Sequence, residues 1–149
     1  MAKKKTKYGK YIVTKPDRTP ISYEVKAPRG NDYVGFNYIP YTYISGKTIK
    51  GINHFTGLIW VTETGCPNPW TANHTHDFDE IMLFLGTDPE NPEDLGGEVD
   101  IQLGDEIHKI DKTASVFVPK GLSHAPIWYK RIDRPHAFIA FCIDTPAYD

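Results

Sequence analysis

The sequence predicts an all-β domain, a sandwich or barrel, and three observations lead there. No segment sustains the 3.6-residue apolar period of an amphipathic helix. Short runs rich in β-branched and aromatic residues recur along the 149-residue chain, among them 58–63, 116–118 and 137–143. Twelve glycines and twelve prolines are spread through the chain and punctuate those runs, the signature of many short strands joined by turns.

Taken in order, residues 8–13 are β-favouring and read as a short edge strand. Pro16, Pro20, Pro28, Gly30 and Pro40 then break the chain repeatedly, which excludes a helix and leaves loops and short strands. The aromatic segment 35–44 carries Phe36, Tyr38 and Ile44, residues suited to packing on the domain or to covering a barrel mouth or a partner subunit. Residues 47–51 read as a turn, and 58–63 as a strand. The polar connection 64–73 carries Trp70 and leads towards a histidine pair, so Trp70 is expected at an entrance.

Residues 87–97 hold Asp88, Glu90, Glu93 and Asp94 between prolines, a solvated loop without the spacing of an EF-hand calcium site. Residues 98–103 alternate polar and apolar, Gly104 and Asp105 turn the chain, and 106–110 repeat the alternation with His108 towards solvent. His54 and His136 have no neighbours at ligand spacing and read as surface or structural histidines.

Length bounds the chain to one domain with a real core. There is no apolar run near 18 residues, so no membrane span is expected, and the start lacks the pattern of a signal peptide. Cys66 and Cys142 form no CxxC pair, so no disulfide framework is expected and a cytoplasmic setting fits. The net charge of −2 is uneven. Residues 1–18 carry seven Lys or Arg against Asp17, a net of +6, and leave −8 for the remainder. An acidic body opposes nucleic-acid binding, so residues 1–18 read as a solvated, frayed tail.

The chemistry concentrates in His74-Thr75-His76-Asp77-Phe78-Asp79-Glu80. Even spacing puts His74, His76 and Glu80 on one face of a strand, or of a strand pair if the chain turns at 77–79. Asp77 and Asp79 fall on the other face. Converging imidazole and carboxylate donors are what a divalent transition metal needs. A further donor, His124, follows the strand 116–118 and the turn at Pro119-Lys120-Gly121. Met82 and Phe84 continue the ligand register as an apolar wall. Trp128 shares the parity of His124, which makes it a pocket wall as well, with Trp70 at the mouth.

The two segments, HxHxxxE over His74, His76 and Glu80 and PxGxxH over Pro119, Gly121 and His124, resemble the paired motifs of the cupin superfamily across residues 60–143. The resemblance implies a double-stranded β-helix, or jelly-roll barrel, over 58–149, with 19–57 as strands and loops packing on it. It also implies His74, His76, Glu80 and His124 as ligands of one divalent ion (Fe, Mn, Ni, Co, Cu or Zn) at the barrel mouth. Asn68 and Thr113 stand where the family usually has glycine, Gly86 comes one residue early, and Trp128 replaces a common asparagine. The expected function is a metal-dependent oxygenase, isomerase or lyase acting on a small oxygenated molecule, with a non-catalytic binding module as the alternative. A homodimer is expected, with no nucleic-acid or membrane partner. Tyr38, Tyr41, Tyr43 and His54 are the candidates for an acid or base.

Overall fold

A computed structural model describes residues 6–19, 40–66 and 69–147, and among them the regular structure is almost entirely β. Eight antiparallel strands form two sheets. The larger has the order β1-β2-β8-β3-β6, from β1 (Tyr41–Ile44), β2 (His54–Val61), β8 (His136–Ile143), β3 (Glu80–Leu85) and β6 (Ala114–Val118). The smaller has the order β5-β4-β7, from β5 (Glu106–Lys112), β4 (Asp94–Leu103) and β7 (His124–Ile132). Among the described residues, no helix is long and apolar enough to cross a membrane.

The core lies between the sheets and is built by alternation. Ile59 and Val61 of β2, Met82 and Phe84 of β3, and Phe138 and Ala140 of β8 point inward from the larger sheet. Val99 and Ile101 of β4 and Ile127 and Tyr129 of β7 meet them from the smaller. Gly86 ends β3 where the chain runs close to β4, and a Cβ there would sit 2.0 Å from the Asp94 carbonyl oxygen. Thr113 serves the same corner as a tie, accepting from the Gly86 amide at 3.0 Å and donating to the Pro92 carbonyl at 2.8 Å.

Several expectations need correcting. Residues 8–13 are no strand: Gly9–Tyr11 form a single 3-10 turn with exposed side chains. The stretch 41–57 does not merely pack on the barrel, since β1 and the start of β2 belong to its larger sheet. Phe36, Tyr38 and Asn68 lie outside the described residues. Both cysteines are free thiols, and His108 is exposed, 2.9 Å from Glu106.

His136 is fully buried where β8 begins, packed on Tyr129 with ring centroids 5.7 Å apart. Neither ring nitrogen has a hydrogen-bond partner among the described residues. Burial lowers its pKa from 6.5 to about 4. As pH falls the unfolded chain therefore takes up this proton first, and stability is lost between pH 6.5 and about 4. A shift of that size corresponds to about 3 kcal/mol. Because the imidazole is buried unsatisfied, an apolar ring of similar size removes a cost without opening a void. In urea titrations, His136→Phe should match or exceed the native stability at pH 7 and lose less of it by pH 4.5.

Candidate metal centre

The site sits where the two sheets meet at one end of the barrel, at the start of β3 and of β7. A two-way backbone stitch assembles it. The His74 amide donates to the His124 carbonyl and the His124 amide to the His74 carbonyl, each at 3.0 Å. The Gly121 amide reaches the His76 carbonyl at 2.9 Å. Gly121 takes a φ of +80°, a backbone that glycine adopts without strain. Asn73 straps the stitch from the side, donating to the Ala125 carbonyl and accepting from the Ser123 hydroxyl, both at 2.7 Å.

His74 and His76 precede β3 and are not on it; the chain bends at 77–79, and only Glu80 is a strand residue. Asp79 turns away from the site and accepts the Lys120 amide at 2.8 Å, closing the PxG turn. Asp77 is exposed.

Each of the three imidazoles is held the same way. Nδ1 meets a backbone carbonyl two residues off: Ala72 for His74 at 2.9 Å, Phe78 for His76 at 2.8 Å and Leu122 for His124 at 2.9 Å. Carbonyl oxygens only accept, so Nδ1 carries a proton, and in a neutral ring Nε2 is the nitrogen left to act as a metal ligand. One ring-nitrogen ligand atom from each of the three residues lies within 4.8 Å of the others. The Glu80 carboxylate, 2% exposed, places Oε2 3.1 Å from His76 Nε2 and 3.2 Å from His124 Nε2. His124 Nε2 is buried without a hydrogen-bond partner among the described residues.

Lone pairs facing a carboxylate in a dry site repel unless a cation lies between them. A proton can serve one pair; a metal ion serves all four donors. Donors about 2.1 Å from a shared ion in adjacent positions lie about 3 Å apart, close to the carboxylate–imidazole spacings here. The residues therefore fit a divalent ion, and the carbonyl-anchored Nδ1–H groups are the outer support such ligands use.

Electrostatics agree. Burial and the neighbouring His124 lower the His74 pKa to about 4, keeping that ring neutral. For Glu80, burial works against the charge, but His124 and His76 outweigh it and hold the carboxyl below its ordinary range. Cys142, paired with Glu80 across β8 and β3, is buried, and burial with the Glu80 charge pushes its thiol well up. It stays a neutral thiol.

A cavity of about 40 Å³ opens beside His74, Glu80 and His124. Its remaining walls are Pro40, Gly57, Ile59, Trp70, Thr71, Met82, Ala125, Ile127, Phe138 and Ala140. Trp70 and Met82 thus line it. Phe84 does not: it is fully buried behind Phe138, with ring centroids 5.1 Å apart. Trp128 is on the wrong face, lining a surface depression with Cys66, Asp100, Ile107 and Lys130. Its parity with His124 is broken because Leu103 pairs with His124 but Ile101 with Ile127, two residues of β4 against three of β7, and Ala125 takes a φ of +60°. Such a bulge flips every later side chain.

Tyr41 and Tyr43 are exposed on the larger sheet, His54 is exposed too, and none of the three lines the cavity. Sequence reasoning missed Asn73 and Ser123, although each is a polar residue directly before a ligand histidine. It also missed Gly57, Ile59, Phe138 and Ala140, which strand alternation could have assigned.

No family model and no curated protein matches the chain. Solved structures do. A cupin 2 domain-containing protein from Halorhodospira halophila overlays with a TM-score of 0.52 at 13% identity, over 72% of this chain and 64% of that one. The Cnp3 cupin domain of Schizosaccharomyces pombe gives 0.50 at 6% identity, over 73% and 62%. The chain thus spans under two thirds of either. A cupin superfamily protein from Desulfitobacterium hafniense gives 0.45 at 15% identity, over 63% and 70%.

If these four side chains hold the ion, protein saturated with Co(II), Zn(II) or Mn(II) and then dialysed should retain close to one ion per chain by elemental analysis. His124→Ala should lower that affinity by at least tenfold. Asn73→Ala should lower it less, by weakening the strap. Undiminished binding in His124→Ala would remove the site.

Proposed function

This chain has the jelly-roll barrel of the cupin superfamily, and on that premise we propose that it is a metal-dependent enzyme acting on a small oxygen-bearing molecule with a compact apolar body. His74, His76, Glu80 and His124 hold one divalent transition-metal ion. The observation that carries this reading is the shared anchoring: three Nδ1–H groups held by backbone carbonyls, one ligand nitrogen from each histidine within 4.8 Å of the others, and the buried Glu80 carboxylate 3.1 and 3.2 Å from Nε2 of His76 and His124. Absence of thiolate and the hard-to-intermediate donors favour ions such as Fe, Mn, Ni, Co, Cu or Zn.

Once bound, the ion supplies a Lewis acid that polarises a substrate oxygen or lowers the pKa of bound water towards about 7. The chain supplies the rest. Three neutral imidazoles and one carboxylate leave a divalent ion with a net charge of about +1, which suits one anionic or enolic oxygen group. Trp70 and Phe138, edge to face with centroids 5.1 Å apart, together with Ile59, Met82 and Ile127, keep bulk water from the reacting end.

Selectivity follows from what the walls lack. Among the described residues no Lys or Arg lines the cavity, so a second anionic group would find no counter-charge on these walls. By the room a water needs, about 10–15 Å³, the 40 Å³ cavity takes roughly three heavy atoms, the size of an isopropyl group. The substrate class supported is a small acid, enol or dione with a short apolar remainder and no second charge. A non-catalytic binding module is the competing reading. It is favoured by one feature: among the described residues the only acids or bases lining the cavity are proposed ligands.

With the metal-loaded protein, isobutyrohydroxamate should bind at least tenfold more tightly than succinohydroxamate, which differs by a free carboxylate. Ala140→Leu should weaken the branched ligand while leaving metal content unchanged. Equal affinity for the two hydroxamates would refute the substrate class. Turnover of diketones or catechols, followed by oxygen uptake and by product analysis, separates enzyme from module: binding without turnover under any of the six ions leaves the module.

A further inference from the structure

The bend between His76 and Glu80 holds a ring contact unlike those of the core. Phe78 lies face to face with the His76 imidazole, with ring centroids 3.9 Å apart and planes 3° apart. Core rings instead meet at an angle: Trp70 and Phe138 at 79°, Phe84 and Phe138 at 65°, Trp70 and Tyr129 at 45°. Their centroids are 5.1 Å apart in the first two pairs and 6.2 Å in the third. Neutral aromatic rings prefer such edge-on or offset contacts, with centroids about 4.5–7 Å apart, because their negative faces repel. The Phe78–His76 stack is parallel and closer than that range.

Phe78 grips this imidazole by two means. Its carbonyl accepts from Nδ1–H at 2.8 Å, which sets the tilt of the ring, and its phenyl group covers one face. The bend is pinned one residue further on. There the Asp79 carboxylate accepts the Lys120 amide at 2.8 Å, and the Asp79 carbonyl accepts the Ile143 amide at 3.0 Å. Phe78 is half-buried, and the His76 side chain beside it is only 6% exposed. The far end of the imidazole points at the rest of the donor set, with Nε2 3.1 Å from Glu80 Oε2. Neither Phe78 nor His76 lines the cavity, so Phe78 acts through the imidazole and not on a substrate.

A neutral imidazole gains little from a close parallel stack on a phenyl ring. An imidazole that has given its Nε2 lone pair to a cation is different. Its ring is poor in electrons and carries part of the ion's charge, so the negative face of a phenyl ring attracts it. We propose that Phe78 is a positioning residue of the metal site, binding the coordinated His76 ring better than the free one and thereby raising the affinity for the ion. This rests on the reading of His76 as a ligand given above. Whatever favours the loaded state over the empty one adds to binding by the difference. The contact therefore works as an outer support of the ligand, alongside the carbonyl that holds Nδ1.

The test replaces Phe78 with 3,4,5-trifluorophenylalanine, which nearly keeps the outline of the ring and weakens its negative face. Co(II) affinity of the full chain, measured by competition with a chelator, should fall about threefold. Phe78→Leu should lower it about tenfold, and Phe78→Tyr should keep the native value. Melting of the metal-free chain is read alongside and should be the same for the native and trifluorinated proteins. Native Co(II) affinity in the trifluorinated chain would mean that the ring only fills space; it overturns the proposal and leaves the metal site standing. A loss of affinity matched by a lower melting temperature of the metal-free chain overturns it too, since the defect then lies in folding. A native chain that binds no Co(II), or binds it equally well as His124→Ala, overturns the metal reading and this proposal with it.

Discussion

The backbone exchange between His74 and His124 is the constraint on which the site depends. Two hydrogen bonds of 3.0 Å join segments fifty residues apart, one before β3 and one opening β7. Without them the donor set would be two histidines on a bend and one on a strand end, with no reason to converge. With them, the carbonyls of Ala72, Phe78 and Leu122 come into reach of the three Nδ1 atoms and fix all three tautomers at once. Glu80 completes the set because it is the first inward residue of β3, in register with Val118 and Cys142. The ligand geometry is thus a property of the sheet ends rather than of a flexible loop, which is how a site is kept pre-organised.

Much of this was legible from residue order. Short strands between glycines and prolines give the all-β class, and the two motifs name the four donors that the fold draws together. The legible features are local, depending on alternation within one strand or on turn chemistry such as Pro119 to Gly121. What was not legible is the effect of partners. Trp128 was assigned inward by counting from His124, but Ala125 at φ +60° and the extra residue against β4 reverse the count. A bulge is set by cross-strand pairing, and nothing in the local run announces it. Phe84 has the right parity and the wrong depth: it is two residues beyond Met82, so Phe138 stands between it and the cavity.

The double-sided apolarity of β2, β3 and β8 was readable as well, since Leu58 to Val61, Ile81 to Leu85 and Ala137 to Ile143 contain no polar residue except Cys142. Its meaning needed the topology. Only once these strands are adjacent in one sheet does the outer set of each run become a continuous surface, while the smaller sheet stays laced with ion pairs. The same barrel thus presents one face laced with ion pairs, one whose strands carry no outward charge, and at its end a cluster of imidazole and carboxylate donors beside an apolar cavity. Glu80 links two of these features. It is the lone charge among the strands of the large sheet, and it is buried against Nε2 of His76 and His124.

The most direct measurement of that claim is X-ray absorption at the metal edge of the Co(II)- or Zn(II)-loaded chain. The account predicts a first shell of nitrogen and oxygen only, at about 2.0–2.2 Å, with the multiple-scattering pattern of three imidazoles that falls to two in His124→Ala. A shell containing sulfur, or an imidazole count that does not change in that variant, would contradict it.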